Sequence, residues 1–310
     1  MQNDNLKSYL HLHLIVFIWG FTAVLGKLIS LQALHLVWFR MAFAFLFMTL
    51  YFLFSKESLK TSFHSFASFM FSGIIIAAHW FTFYEAIKVS NISITLACLS
   101  TGAFFVSILE PIIYNKKINW TNVFLGLFVV VGLYFVAFAE TIYKYGFFGS
   151  FNNVFNNPTV KITGVLLALI SALLSALFSI INGKLAKEYN PNIISFYELF
   201  GGLFFFSVYM FFTNNFTENF FIISISDIVW LVILASICTA YAFSASIKVM
   251  KFLSPYTVML TINMEPIYGI ILALMIFTDS EQMNSLFYIG AIIIITSVII
   301  NGIINLKKSE

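Results

Sequence analysis

Residues 255–277 read PYTVMLTINMEPIYGIILALMIF, an apolar stretch with the carboxylate of Glu265 near its middle. A helix needs roughly 20 mainly apolar residues to cross the hydrocarbon core of a bilayer. A charged group at that depth is costly, so an intramembrane carboxylate is a candidate functional residue. Pro266 follows it directly and is expected to perturb the helix there. The stretch therefore predicts a membrane helix with a polar site at its centre.

The whole chain has the composition of an integral membrane protein. Of its 310 residues, 61% are hydrophobic and only 9% are charged, whereas soluble domains carry roughly a quarter charged residues. Ten stretches are long and apolar enough to span a bilayer, and little sequence is left for a water-soluble domain. They lie at about 10–29, 34–54, 66–88, 92–114, 119–139, 161–183, 193–213, 227–250, 255–277 and 284–305.

Lysines are distributed unevenly between the two sides of these stretches. With the N-terminus placed inside, eleven lysines fall on the cytoplasmic side and three on the other. Cytoplasmic loops carry the excess of Lys and Arg in membrane proteins, so we expect a multi-pass plasma-membrane protein with both termini in the cytoplasm. The eleven are Lys7, Lys56, Lys60, Lys116, Lys117, Lys184, Lys187, Lys248, Lys251, Lys307 and Lys308, and the three are Lys88, Lys144 and Lys161.

The chain divides into two halves that resemble each other weakly. A polar stretch at 140–160 separates a first repeat, 1–139, from a second, 161–310. Because each half has five spans, the second must enter the membrane upside down, as in transporters built from inverted repeats. The predicted fold is an all-α integral membrane protein of ten transmembrane helices in two inverted five-helix repeats. The corresponding segments are Gly26-Lys27-Leu28 and Gly183-Lys184-Leu185, Ser90-Asn91 and Ser254-Pro255, and Thr101-Gly102 and Glu265-Pro266.

Short motifs along nearly the whole chain point to a known family. They are Trp19-Gly20, Arg40, Ala86 to Ser90, Leu253-Ser254-Pro255, Met264-Glu265-Pro266, Gly126 and Gly290. In these motifs the chain resembles the EamA-type ten-helix carriers of the drug/metabolite transporter superfamily. The resemblance implies secondary transport of a small metabolite such as an amino acid or purine, export more than import, and a bacterial inner membrane. In the fourth span, Thr101-Gly102 stands where such carriers usually have a proline.

Glu265 and His79 both lie near the middle of their predicted spans. A carboxylate and an imidazole at that depth could pass a proton, so proton coupling is one interpretation. The other is a neutral pair whose polar atoms are satisfied by Thr, Asn or backbone partners. Asn263, two residues before Glu265, is also a candidate residue of the substrate or ion pathway.

Arg40 and Glu85 are expected at similar depths nearer the outer face. A buried arginine needs a partner, and a guanidinium facing a cavity also suits a substrate carboxylate or phosphate. The two are therefore expected to form either a structural ion pair or a gate that contacts substrate. Lys27, close to a span end, is expected to extend its ammonium to the interface.

The remaining candidates are an inner carboxylate and a group of aromatic residues. Glu198, inside the seventh span, is expected to line the inner vestibule. Trp19, Trp80 and Tyr84 could form a wall for an aromatic or heterocyclic solute, since Trp80 and Tyr84 share a helix face at i and i+4. Ordinary helix packing or an aromatic belt at the membrane interface is the alternative for all three.

The sequence favours a carrier over other classes of membrane protein. No phosphate loop or metal-ligand cluster is expected, so we predict no enzymatic activity, cofactor or metal. The expected partners are a small-molecule substrate and the lipid bilayer, with no nucleic acid; a homodimer is compatible with the sequence. The alternatives are a lipid-handling protein acting at the membrane interface and a membrane subunit that transports nothing.

Overall fold

Helices make up nearly all of the computed structural model, which describes residues 2–118, 120–153, 162–281 and 283–309. Within these residues there is no β-strand. The helices are α1 (Gln2–Leu28), α2 (Ala33–Ser55), α3 (Phe63–Val89), α4 (Ile92–Leu99), α5 (Gly102–Ile113), α6 (Trp120–Asn153), α7 (Ile162–Glu188), α8 (Pro191–Phe212), α9 (Ile225–Ala235), α10 (Ala242–Val249), α11 (Pro255–Ile262), α12 (Glu265–Glu281) and α13 (Ser285–Ser309). A π-helical turn, Ser236–Tyr241, joins α9 to α10.

Eight helical segments of the described chain are long and apolar enough to cross a membrane. They are Leu6–Leu28, Ala33–Ser55, Phe63–Val89, Ile92–Ile113, Ile162–Glu188, Pro191–Phe212, Ile225–Val249 and Pro255–Phe277. Two shorter apolar helices, Phe124–Val136 and Ser285–Ser297, lie where the fifth and tenth spans were predicted. Large apolar side chains such as Phe54 and Phe63 stay exposed, as a lipid-facing surface requires. The multi-pass, all-helical class is thus confirmed.

Two spans are broken near their middles, one in each half of the chain. α4 ends at Leu99 and α5 begins at Gly102, while α11 ends at Ile262 and α12 begins at Glu265. These breaks fall on the Thr101-Gly102 and Glu265-Pro266 positions that correspond in the two halves. Discontinuous helices in transporters leave free backbone groups and helix ends near the bilayer centre, where a solute can be bound.

Side-chain caps begin the two broken spans. The Asn91 side-chain oxygen accepts from the Ile94 amide at 2.8 Å at the start of α4. The Ser254 hydroxyl accepts from the Thr257 amide at 3.1 Å at the start of α11, and Pro255 occupies the first helical position. These residues satisfy N–H groups that have no partner inside the helix. The two spans therefore start in the same way at corresponding positions.

Glycines bring α3 and α8 into backbone contact. A Cβ on Gly73 would overlap the backbone of Glu198. A Cβ on Gly201 would lie 2.7 Å from the carbonyl oxygen of Met70. Such close approach is how small residues hold membrane helices together, because packing rather than the hydrophobic effect drives association in lipid.

Replacing Gly73 by Ala is expected to lower the thermal unfolding midpoint of the purified protein. The new methyl group meets backbone, which cannot rotate away, and overpacking of this kind costs about 1–3 kcal/mol. That loss corresponds to a midpoint roughly 2–10 °C lower. Ala67→Leu, on an exposed position of the same helix, is the matched control and should leave the midpoint unchanged. Equal midpoints for the two variants would contradict the close contact.

α6 and α13 pack against each other through a second pair of glycines. A Cβ on Gly290 would lie 2.7 Å from the Gly132 carbonyl oxygen, and one on Gly132 would lie 2.8 Å from the Gly290 oxygen. The backbone of α6 leaves helical geometry at Phe138 and at Gly146. Residues 140–153 of the predicted inter-repeat segment are helical, and 154–161 lie outside the described residues.

Candidate functional site

A narrow cavity lies among the central parts of the helices, next to both helix breaks. Its volume is ≈ 60 Å³, enough for a few water molecules, so a larger solute would enter only after the helices move apart. Five predicted site residues meet there: four come from α1, α2 and α3, and the fifth is the carboxyl group of Glu265 on α12. The lining residues are Trp19, Thr22, Arg40, Ile76, His79, Trp80, Phe83, Leu99, Ser175, Phe178, Ser179, Phe243, Ser246, Met250, Ile262 and Glu265.

Arg40 is held rigidly in the wall of this cavity. Its side chain is 3% exposed, and its Nε donates to the Thr239 hydroxyl at 2.8 Å. Its Nη1 donates to the Tyr84 hydroxyl at 2.9 Å. The guanidinium carbon lies 3.8 Å from the centroid of the Trp80 ring, a cation–π contact that favours a desolvated arginine. Arg40 thus keeps its charge at the cavity through neutral partners.

The predicted pair of Arg40 and Glu85 is wrong. The hydrogen bonds of Arg40 go to Thr239 and Tyr84 instead, and Glu85, which is half-buried, does not line the cavity. The two side chains lie on different helices, and depth along a helix does not determine which neighbour a side chain faces. Tyr84 contributes to the site by holding Arg40, with a side chain that is itself fully buried.

The π-helical turn Ser236–Tyr241 supplies the other anchors of the site. The Trp19 indole donates to the Cys238 carbonyl oxygen at 3.0 Å. The Thr239 hydroxyl accepts from Arg40 and donates to the Leu234 carbonyl oxygen at 2.8 Å. π-helical turns widen a helix locally and are frequent at functional sites. Sequence reasoning missed Thr239 because nothing in an apolar span marks an inserted residue.

Glu265 is the first residue of α12 and faces the same cavity. It is 6% exposed, with the Thr22 hydroxyl as a hydrogen-bonding neighbour and the Arg40 guanidinium as a nearby charge. No Lys, Arg or His among the described residues forms an ion pair with it. The free N–H groups at the start of a helix favour a negative charge at that place. Glu265 is therefore a buried acid supported by helix geometry and by a nearby but separate arginine.

His79 lines the cavity but is bonded away from Glu265. Its Nδ1 lies 2.8 Å from the Ser171 hydroxyl and 2.9 Å from the Ser171 carbonyl oxygen. The Ser171 hydroxyl also contacts the His79 carbonyl oxygen at 3.1 Å. The structure thus joins His79 to α7 and forms no direct bond between His79 and Glu265.

Two further predicted site residues, like Glu85 and Tyr84, lie outside the lining of the cavity. Asn263 is in the break between α11 and α12, and its side-chain nitrogen is buried with no hydrogen-bond partner among the described atoms. Glu198 is fully buried where α3, α7 and α8 meet, and its Oε1 accepts from the Asn182 side chain at 2.8 Å. Glu198 was expected to line the inner vestibule; in this structure it is enclosed instead, because glycine-mediated packing brings α3 and α8 together around it.

The structure also contains an ion pair that the sequence did not predict, at the place where α4 begins and α12 ends. Lys27 Nζ lies 2.6 Å from Glu281 Oε1. The fully buried Glu281 carboxylate also accepts from the amides of Ile92 and Ser93 at 3.2 and 3.0 Å and from the Ser93 hydroxyl at 2.9 Å. Glu281 therefore ties α1, α4 and α12 together, and the Lys27 ammonium, which was expected to extend to the interface, is bound to this carboxylate and is 27% exposed.

Metal ligation is not indicated in the part of the chain that the structure describes. No group of three or more His, Cys, Asp or Glu side chains there could hold a metal ion. Cys98 and Cys238 are both buried and free. The polar groups that line the cavity and could bind a solute are the Glu265 carboxyl group, the Arg40 guanidinium and the His79 imidazole.

Comparisons with known proteins agree with this architecture. A solved crystal structure covers 94% of this chain and 95% of its own, with a TM-score of 0.65 at 12% sequence identity, which shows the fold alone. Comparison with curated proteins gives no match. The model of the EamA-like transporter family matches residues 6–138 and 162–303, one stretch in each half. The chain belongs to the EamA-like transporter family.

Proposed function

We propose that this protein is a ten-span secondary carrier that exports a small metabolite across a bacterial inner membrane by alternating access. Its family membership makes it a membrane transporter. The observation that supports the finer proposal is the central cavity, where the carboxyl group of Glu265 and the guanidinium of Arg40 both line the wall beside the helix breaks. Solute sites of inverted-repeat carriers lie at this depth and at such breaks.

The lining of the cavity suits a solute that carries both charge and an apolar part. A solute carboxylate would be attracted to Arg40, and a solute ammonium to Glu265. Trp80, Phe178 and Phe243 add aromatic surface to the same cavity, which favours an apolar side chain or a flat ring. An amino acid uses both charges, and a purine uses the aromatic wall, so these are the two cargo classes to test.

Coupling to protons is the second part of the proposal. Glu265 has no ion-pair partner among the described residues, so it is available to exchange its proton for a substrate ammonium or to carry a proton itself. Both termini are placed in the cytoplasm because of the lysine distribution. Under this orientation the Lys27–Glu281 pair lies at the outer end of the spans.

Counterflow in proteoliposomes tests this function directly. Vesicles preloaded with amino acids or with purines should accumulate the matching labelled solute, and a pH gradient should change the rate. Ser175→Phe places a ring in the cavity wall and should slow flux about tenfold or more, since overpacking costs about 1–3 kcal/mol and 1.4 kcal/mol is tenfold.

Ile170→Phe is the matched control, because Ile170 lies on the same helix but is 47% exposed. That variant should transport at the native rate. If correctly folded native protein moves neither solute class above empty vesicles, the carrier proposal fails. A lipid-handling protein or a subunit without flux then becomes the better explanation.

A further inference from the structure

A second buried carboxyl group lies outside the cavity, in a cluster of three polar side chains from three helices. Glu198 of α8 and Asn182 of α7 are both 0% exposed, as is Ser72 of α3. The Asn182 Nδ2 donates to Glu198 Oε1 at 2.8 Å and to the Ser72 hydroxyl oxygen at 3.1 Å. Glu198 is seven residues into α8, so the cluster lies about 10 Å from that end of the span.

The hydrogen bonds of this cluster lack one donor. Glu198 Oε2 and Asn182 Oδ1 are both buried acceptors without a partner among the described atoms. The Ser72 hydroxyl has one hydrogen and can serve only one of them; an ionised carboxylate supplies none for the other, and leaving a buried acceptor unsatisfied is costly. A carboxylic acid supplies the missing hydrogen. Beside an amide, one oxygen of the acid can accept from the amide N–H while the acid O–H donates to the amide oxygen.

Among the residues that the structure describes, no charged side chain forms an ion pair with Glu198. The helices packed around it bring only neutral groups to it, Ser72 from α3 and Asn182 from α7. Arg40 of α2 and His79 of α3 face the cavity instead. The lysines that end α7 and α10 are exposed, namely Lys184, Lys187 and Lys248. A buried negative charge with no cation beside it is strongly unfavourable in a membrane protein.

We propose that Glu198, with Asn182 and Ser72, is a proton-binding site that must be occupied for the inner halves of α3, α7 and α8 to close against one another. The backbone of Gly73 packs directly on the backbone of Glu198, so α3 and α8 are in close contact beside this cluster. Loss of the proton leaves an uncompensated charge that separates the three helices. The site is distinct from Glu265, which faces the cavity.

The cluster is mechanically joined to the substrate cavity. Asn182 Nδ2 also approaches the carbonyl oxygen of Phe178 at 3.4 Å, and Phe178 lines the cavity. Ser72 is one helical turn before Ile76, another cavity residue. Opening of α8 from α3 and α7 would therefore move two walls of the cavity. This step rests on the proposed function. In such a carrier, Glu198 links binding of the proton to access of the solute to the cavity from the inner side.

Thermal unfolding of the full-length protein at several pH values tests the site without knowledge of the substrate. A proton held only by the folded state makes stability greatest at low pH and decreases it as pH rises. Relative to Glu198→Gln, the native midpoint should fall by roughly 2–4 °C per pH unit above about pH 5. Glu198→Met, which also needs no proton, should show the same reduced slope as Glu198→Gln.

Glu110→Gln is the matched control, since Glu110 is paired at 3.4 Å with Lys116, whose side chain is exposed. That variant should keep the native pH slope. Native-like slopes in both Glu198 variants would overturn the proposal. Counterflow separates the two proposals. If the Glu198 variants lose the pH slope but the native protein moves no solute, the proton site is retained and the carrier is rejected. If the native protein moves solute but the Glu198 variants keep the native pH slope, the carrier is retained and the proton site is rejected.

Discussion

Glu265→Gln is expected to lower substrate flux by about 10- to 100-fold while leaving the thermal unfolding midpoint at neutral pH unchanged or higher. An interaction with a charged group contributes about 1.5–3 kcal/mol, and each 1.4 kcal/mol is tenfold. Glutamine keeps the shape of the side chain but has no charge to bind an ammonium and no proton to exchange. Counterflow and thermal unfolding of the same preparation measure the two effects.

The expected stability of this variant follows from the surroundings of Glu265. The carboxyl group is 6% exposed and has no ion-pair partner among the described residues. Burying such a group opposes folding, so a neutral side chain of the same size relieves that cost. A residue that lowers stability but is needed for activity is typical of functional sites.

Glu110→Gln serves as the control for flux, because Glu110 lies near the end of α5 and does not line the cavity. It should transport like the native protein. Normal flux in Glu265→Gln would remove Glu265 from the mechanism. A parallel loss of flux and of stability would assign it a structural role instead.

Glu281→Gln is expected to have the opposite effect, with a large loss of stability. The Glu281 carboxylate accepts from four donors, of which one is the Lys27 ammonium and two are amides that begin α4. Removing one partner of a buried pair costs about 3–5 kcal/mol, so the thermal midpoint should fall by roughly 6–20 °C. Thermal unfolding in detergent or in nanodiscs measures the shift.

A double-mutant cycle with Lys27→Met isolates the ion pair from the other bonds. The combined variant should lose less stability than the sum of the single variants, because each single change already removes the same contact. Ser93→Ala is the smaller comparison and should cost about 1 kcal/mol. If Glu281→Gln unfolds at the native temperature, the carboxylate does not hold α1, α4 and α12 together.

The two glutamates show that a shared sequence environment does not define a shared role. Both lie in apolar segments of the second half and belong to the same helix, α12. Glu281 meets a cation and backbone amides, whereas Glu265 meets a cavity. The two glutamates differ in the groups that surround them. Replacement by glutamine is therefore expected to leave stability unchanged or higher at Glu265 and to lower it at Glu281.

Much of the fold follows from local patterns of residues. Apolar stretches of sufficient length predicted the membrane helices, and Pro266 marked one of the two positions where a span breaks near its middle. The resemblance carried by the short motifs is confirmed by the family match to both halves. Trp19, Arg40, His79 and Glu265 were predicted as site residues because they carry polar groups inside apolar spans. The structure gathers all four around one cavity.

The sequence by itself determined which segments are long and apolar enough to enter the membrane and which polar groups lie deep inside them, because length and hydropathy act locally. Only the tertiary structure decided the partners. It bonds Arg40 to Thr239, 199 residues away, and Lys27 to Glu281, 254 residues away, and it encloses Glu198 beside Asn182. Helix periodicity defines the depth and face of a side chain, whereas its neighbours depend on how helices distant in sequence pack.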